Sequence, residues 1–167
     1  AQSDNTLALG VEADLLRTSS SNLPMPQPGA APGAMAPRLT SSASSGLHLT
    51  WMETLERPSE KGGKAIRLVL SSYDGRRWTK SETIVERNDA FANGADFPSV
   101  TESLDGTLYA HWLQKATGGK YAYDIHIARK TKHKWQSLGV LHNDGIPGEH
   151  GFVSTIPLRK GIRIFWL

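Results

Sequence analysis

Pro98-Ser99-Val100-Thr101-Glu102-Ser103-Leu104-Asp105-Gly106-Thr107-Leu108-Tyr109-Ala110-His111-Trp112 opens on a proline and closes on a tryptophan. Between them, Leu108, Ala110 and Trp112 alternate with Tyr109 and His111, and a Ser/Asp/Gly cluster separates this run from the one before it. Alternation of period two with aromatic and β-branched residues is a strand signature. Clusters of Gly, Asp, Asn and Ser supply the turn between paired strands. The same arrangement lies upstream, where Pro37-Arg38-Leu39 precedes Trp51 by fourteen residues, the interval that separates Pro98 from Trp112. Each tryptophan ends the second strand of a hairpin.

Further strands follow in the same order. A third strand is expected over Ala65 to Ser71 in one unit and Tyr123 to Arg129 in the next. Each is followed by a turn and another tryptophan, Trp78 and Trp135. Fourth strands are expected over Glu82 to Glu86 and Ser137 to His142, and a third copy begins at Gly151-Phe152-Val153 and runs through Gly161 to Trp166. Trp51 and Trp112 are 61 residues apart, and Trp112 and Trp166 are 54 apart. Four short strands at about this period describe a β-propeller blade; a β-sandwich with similar hairpins is the competing architecture. The expectation is an all-β chain: a partial propeller of about two and a half blades, over residues 37–88, 97–143 and 152–167, the last incomplete. No amphipathic helix is expected after Pro37.

Upstream, Leu23 to Pro37 carries five prolines, which exclude a helix interior and a central strand alike. Residues 23–36 therefore read as an extended connector, preceded by an N-terminal segment, 1–22. In that segment Leu7 to Leu16 suits one strand, such as an outer strand of a closing blade, or a short helix. The chain begins Ala1-Gln2-Ser3-Asp4, which suits either a mature form after signal-peptide removal or a trimmed chain; the first implies a secreted or periplasmic protein. It closes on Ile164-Phe165-Trp166-Leu167, in the second strand of the third blade. That position implies a fragment, or one piece of a larger assembly with the missing blades or another chain.

Composition narrows the function. A net charge of +3 is spread along the chain with no run longer than Arg76-Arg77, so no clustered basic footprint for nucleic acid is present. No apolar run approaches the length of a membrane helix. Without cysteine, disulfides and thiolate metal sites are excluded. No histidine pair has helix-type ligand spacing, and no metal or other cofactor is expected; His142-Asn143-Asp144 suits either a turn or a cation.

Ser71-Ser72-Tyr73-Asp74-Gly75-Arg76-Arg77-Trp78 resembles the Asp-box of sialidases and related BNR-repeat propellers, with Ser71, Gly75 and Trp78 in register and the aspartate shifted by one to Asp74. The second copy, Ala128 to Trp135, keeps only the tryptophan. The wider pattern, Ala95-Asp96-Phe97-Pro98-Ser99, Gly106 to Trp112, Tyr123-Asp124-Ile125 and Glu149 to Ser154, is similar to that of bacterial exported sialidase-like proteins. The resemblance covers residues 37–167 and implies a carbohydrate-directed protein, an exo-glycosidase of sialidase type in its full-length form. The alternative is a non-catalytic propeller that binds glycan or protein.

The repeat itself brings Asp96 and Glu149 to equivalent places ahead of their first strands, with Arg38 within the first strand of the first unit. Loops on a rigid scaffold are where ligand sites gather. By resemblance, Asp96 is the candidate acid/base and Arg38 the candidate for a sugar carboxylate, since a guanidinium pairs with a carboxylate through two parallel hydrogen bonds. Glu149 and His150 are candidates for substrate hydroxyls. Sialidases also employ a tyrosine nucleophile paired with a glutamate, which the resemblance assigns to blades beyond this chain. Structural readings compete: Asp96 suits a turn cap ahead of Pro98, Asp124 a turn into the third strand, and Glu149-His150 a loop anchor. Trp51, Trp112 and Trp166 suit packing between blades; Trp78 and Trp135 suit packing or sugar stacking.

Overall fold

The computed structural model describes residues 27–42, 46–58, 64–91 and 95–167; the Leu7–Leu16 expectation lies outside them. The described residues form antiparallel β-sheets with no helix, and none of the sheets closes into a barrel. The all-β expectation therefore holds. The first sheet joins β1 (Met35–Ser42), β2 (Gly46–Pro58), β3 (Lys64–Tyr73) and β4 (Glu82–Arg87) in sequence order. The second joins β7 (Leu108–Lys115), β8 (Tyr123–Thr131) and β9 (Lys134–Val140), with β5 (Ala90–Phe91) and β6 (Ser99–Glu102) both paired to β7. A separate hairpin pairs β10 (Ser154–Pro157) with β11 (Ile162–Phe165).

Register ties the three units together. Arg38 pairs with Thr50, Ser99 with His111 and Ser154 with Phe165, each beside a tryptophan. The expectation that these tryptophans end their strands is corrected: β2 runs on to Pro58 and β7 to Lys115, because their ladders to β3 and β8 continue past Trp51 and Trp112, while β11 stops at Phe165. Next to these pairs all three first strands break step. Two residue steps of β2, from Thr50 to Met52, face three steps of β1, from Met35 to Arg38. In the hairpin, Gly151 and Leu167 exchange backbone hydrogen bonds while Ser154 pairs with Phe165, which is the same one-residue bulge. The two bulges also share a backbone conformation: Ala36 and Phe152, the residues after Met35 and Gly151, have φ of 52° and 53°. At the same point of the second sheet, β5 ends at Phe91, opposite Leu113, and β6 resumes at Ser99, opposite His111.

The packing is head-to-tail. Met52, Leu68 and Leu70 of the first sheet meet Val100, Ala110, Trp112 and Ala128 of the second in one buried cluster. Directly opposed residues of paired strands share a face. Trp51 and Val69, the neighbours in sequence of Met52 and Leu68, therefore occupy the first sheet's other face, away from the second sheet. In the second sheet the faces exchange roles. The Trp112 face meets the first sheet, while Leu113, Tyr123 and Ile125 on the opposite face gather Val153 from the segment leading into β10. Two sheets related by a two-fold axis would bury like faces together; here the unlike faces meet.

The tryptophans anchor matching polar contacts. Trp51 Nε1–H donates to Glu53 Oε1 at 2.7 Å, and Trp112 Nε1–H to Gln114 Oε1 at 2.9 Å. Glu53 also accepts from Arg67 and from the backbone N–H of Ala31, which lays the proline-rich connector against the first sheet. The Ser71–Trp78 stretch forms the turn between β3 and β4. Ser71 Oγ donates to the Thr79 carbonyl, Asp74 Oδ1 accepts from the N–H groups of Arg76 and Arg77, and Gly75 takes φ of 91°. The shifted aspartate thus closes the turn through its own backbone, as Asx turns do. Trp78 packs on Tyr73, and Trp135, already within β9, packs against the core.

Candidate functional site

The first strands of the three units lie side by side. Thr40 Oγ donates to the Val100 carbonyl, Thr50 Oγ to the Pro98 carbonyl, and the hydroxyls of Thr101 and Thr155 bond at 2.6 Å. Where β1, β6 and β10 meet, an open cavity of about 750 Å³ is lined by Arg38, Asp96, Glu102, His111 and Phe152, among others. Arg38 is exposed on β1, whereas Asp96, Glu102 and His111 are buried.

Asp96 comes from the segment between β5 and β6 and reaches across to the third unit. Its Oδ1 accepts from the N–H of Phe152, the bulge residue, and its Oδ2 from the Tyr123 hydroxyl at 3.3 Å. Gly151 permits the approach: a Cβ there would lie 2.9 and 3.0 Å from the two carboxylate oxygens.

Tyr123 is wholly buried at the start of β8 and stacks on Phe91 at 4.3 Å. Its single phenolic proton is shared between Glu149 Oε1 and Asp96 Oδ2. Burial, the hydrogen bond to Glu149 and the nearby Asp96 charge all push the phenol above its ordinary range. It therefore stays protonated and serves as a donor holding two carboxylates together.

Glu149 reaches Tyr123 because residues 148–150 run alongside the start of β8. Tyr123 N–H donates to the Gly148 carbonyl, and His150 N–H to the Tyr123 carbonyl, in a short parallel bridge. Neighbouring residues on an extended segment point to opposite sides. Glu149 turns toward Asp96, and His150 turns away to stack on His142 at 3.7 Å and bond Asp144 at 2.9 Å. The fold thus brings Arg38 and Asp96 to one cavity and joins Glu149 to Asp96 through Tyr123. It sends His150 to a different cluster.

His111 and Glu102 were not among the residues singled out from sequence. His111 occupies the position of Thr50 in the first unit. Burial is the main force lowering its pKa to about 4; the Arg38 charge acts in the same direction, opposed by a bond to the Phe97 backbone and by Asp96. Its Nε2 is buried without a hydrogen-bond partner. A neutral imidazole with an unpaired nitrogen lining a cavity is a ready partner for a ligand hydroxyl. Glu102 accepts from Ser42 Oγ and lies 3.1 Å from His48 Nε2, while His48 Nδ1 meets Ser72 Oγ at 2.8 Å. Strand alternation puts these side chains on known faces, but only the docking of β1 on β6 brings His48 to Glu102. The described residues include no helix long and apolar enough to cross a membrane.

No protein-family model, curated protein or solved structure matches this chain.

Proposed function

We propose that the chain is a portion of a sialidase-like β-propeller that receives an acidic glycan in the cavity where β1, β6 and β10 meet. The single observation that carries this is the shared lining of Arg38, Asp96 and His111 in one open cavity. An exposed guanidinium is suited to a sugar carboxylate, and the unpartnered Nε2 of His111 is suited to a hydroxyl. The propeller reading is supported by the head-to-tail packing of unlike sheet faces and by the recurring break in the first strands. An exported location, secreted or periplasmic, and association with further blades or another chain belong to the same proposal.

For this chain, binding is favoured over turnover. A glycosidase acid needs a carboxyl free to exchange its proton with the glycosidic oxygen, yet both Asp96 oxygens accept hydrogen bonds from the protein. The Tyr123–Glu149 pair has the composition of a sialidase nucleophile pair. A wholly buried phenol, held protonated, positions carboxylates and does not attack. Exo-sialidase activity would require the tyrosine–glutamate pair and arginine cluster that the resemblance implies, beyond the residues gathered in this cavity.

A glycan array probed with the wild-type chain and with Arg38→Ala tests the proposal, alongside a fluorogenic sialoside assay. Binding to acidic glycans that falls at least tenfold in Arg38→Ala, with no sialoside turnover, is expected. Absence of acidic-glycan binding, or binding indifferent to Arg38, would sink it.

A further inference from the structure

We propose a second site, for a divalent first-row transition-metal ion, formed by Asp124, His142 and His150. It is separate from the Arg38–Asp96 cavity and does not rest on the carbohydrate reading. One ligand atom from each of these residues lies within 4.8 Å of the other two. Asp124 comes from the start of β8, His142 from just after β9 and His150 from the segment before β10, so folding unites them.

The hydrogen bonds assign the nitrogens. His150 Nε2–H donates to Asp144 Oδ2 at 2.9 Å, which leaves the lone pair on Nδ1; that atom is buried and has no hydrogen-bond partner. His142 Nε2 accepts from the Ile125 N–H at 3.4 Å, a long bond, so its lone pair also faces inward. His142 Nδ1 looks toward the other oxygen of Asp144 at 3.7 Å. Asp144 thereby addresses both rings from behind, the arrangement by which an outer carboxylate fixes the tautomer of ligating histidines.

The inward side gathers ligand atoms that the protein leaves poorly partnered, His150 Nδ1 above all. Asp124 Oδ1 is 3.6 Å from His142 Nε2, beyond a good hydrogen bond, so the three ligand atoms stand close together without satisfying one another. A buried nitrogen left without a partner beside a carboxylate and a second imidazole is satisfied by a cation among them. Two imidazoles and one carboxylate select zinc or a related ion over calcium, which takes oxygen ligands. The ion would replace the long Ile125 bond and open the stacked rings. Remaining coordination positions would fall to water from the open cavity of about 480 Å³ lined by Asp124, His142 and Asp144. The site clamps residues 142–150, the link between the second sheet and the third hairpin, onto β8. Glu149 lies in that link, so the ion also steadies the Tyr123 bridge.

Titration of the tag-free, chelator-treated full chain with Zn²⁺ by calorimetry, and with Co²⁺ by visible absorption, tests this. One ion per chain is expected, with a dissociation constant below about 10 μM and Ca²⁺ at least about 100-fold weaker. Asp124→Asn keeps the side-chain shape at a half-exposed position, and His150→Ala removes an imidazole. Each should weaken Zn²⁺ by at least the roughly 10–100-fold that loss of an outer partner costs, while His133→Ala, in the exposed β8–β9 turn, changes nothing. Millimolar affinity in the wild type, or Zn²⁺ binding unchanged in folded Asp124→Asn, overturns the proposal. If His150→Ala fails to fold, Asp124→Asn, checked by circular dichroism, carries the decision.

Discussion

The first strand of the first unit and that of the second interrupt their pairing at the same register point with very different lengths of chain. Between Met35 and Arg38 the strand gains one residue; between Phe91 and Ser99 it gains six, each opposite two residue steps of its partner strand. The short break leaves Arg38 on an exposed strand surface. The long one carries a carboxylate, Asp96, across to the bulge of the third unit. β-Bulges re-aim side chains without disturbing the flanking ladder, and here the lengthened copy couples two units. The scaffold is therefore shared, and chemical difference between units enters at this point and at the position of Thr50 and His111.

The largest test of shared scaffold is truncation of the paired tryptophans. Trp51 and Trp112 are buried to 2% and 3% exposure and each donates to a side chain two residues on. Trp51→Ala and Trp112→Ala should each cost about 3–5 kcal/mol, the range for aromatic truncation in a packed core, as read by urea denaturation. If one costs less than about 1 kcal/mol, the two positions are not equivalent.

Next in size is the difference between Thr50 and His111. The folded pKa of His111 is depressed from 6.5 to about 4, so the unfolded chain binds the proton first as pH falls. Stability is fully present above pH 6.5 and is lost between there and pH 4, by about 3 kcal/mol in total and about 2 kcal/mol between pH 7 and pH 5. His126 is displaced in the same direction, by burial first and then by the Arg87 charge, and adds to the slope. His111→Thr, which copies the first unit into the second, should remove most of the loss. An unaltered pH slope in this variant would exclude His111 as its source.

Much of this comparison is legible in the sequence. Period-two alternation ties residues to faces, so strands, hairpins and the fourteen-residue interval from Pro37 to Trp51 carry over directly to register. The repeat also anticipates the meeting of Arg38 and Asp96. What is not legible depends on contacts between units. Glu149 and His150, adjacent in sequence, read as one candidate pair, yet an extended backbone sends them to opposite sides. Asp124, His142 and His150 lie 18 and 8 residues apart, and no local spacing rule for helices applies to ligands gathered from one strand and the segment between β9 and β10. Tyr123 reads as an ordinary buried strand residue until the 148–150 segment docks beside it.

A smaller effect is expected where Glu53 and Gln114 differ. Glu53 is 4% exposed and accepts from Trp51, Ala31 and Arg67, whereas Gln114 accepts from Trp112 and donates to Asp89 at 3.4 Å. Burial raises the Glu53 pKa, but the bonds from Trp51, Ala31 and Arg67 outweigh it and hold the carboxyl below its usual range. Glu53→Gln retains the acceptor for Trp51 and loses the charge opposite the half-exposed Arg67, at a cost of about 1–2 kcal/mol. A cost above about 4 kcal/mol would mean that the charge supports the connector as well as Arg67.

The smallest effect reports on the bulge itself. Ala36 and Phe152 hold left-handed backbone that costs a side-chain-bearing residue roughly 1 kcal/mol and glycine almost nothing. Ala36→Gly should therefore raise stability by up to about 1 kcal/mol, because relief of that strain exceeds the extra freedom glycine gains in the unfolded chain. Three residues on, Leu39 pairs regularly with Leu49 and is 54% exposed. Glycine there relieves nothing and should destabilise by about 0.5–1 kcal/mol. The opposite signs, measured as melting temperatures of the two variants, separate a built-in bulge from an ordinary stretch of strand. If both variants are destabilised alike, the left-handed turn at Ala36 is absent in solution, and with it the register feature that the first and third units share.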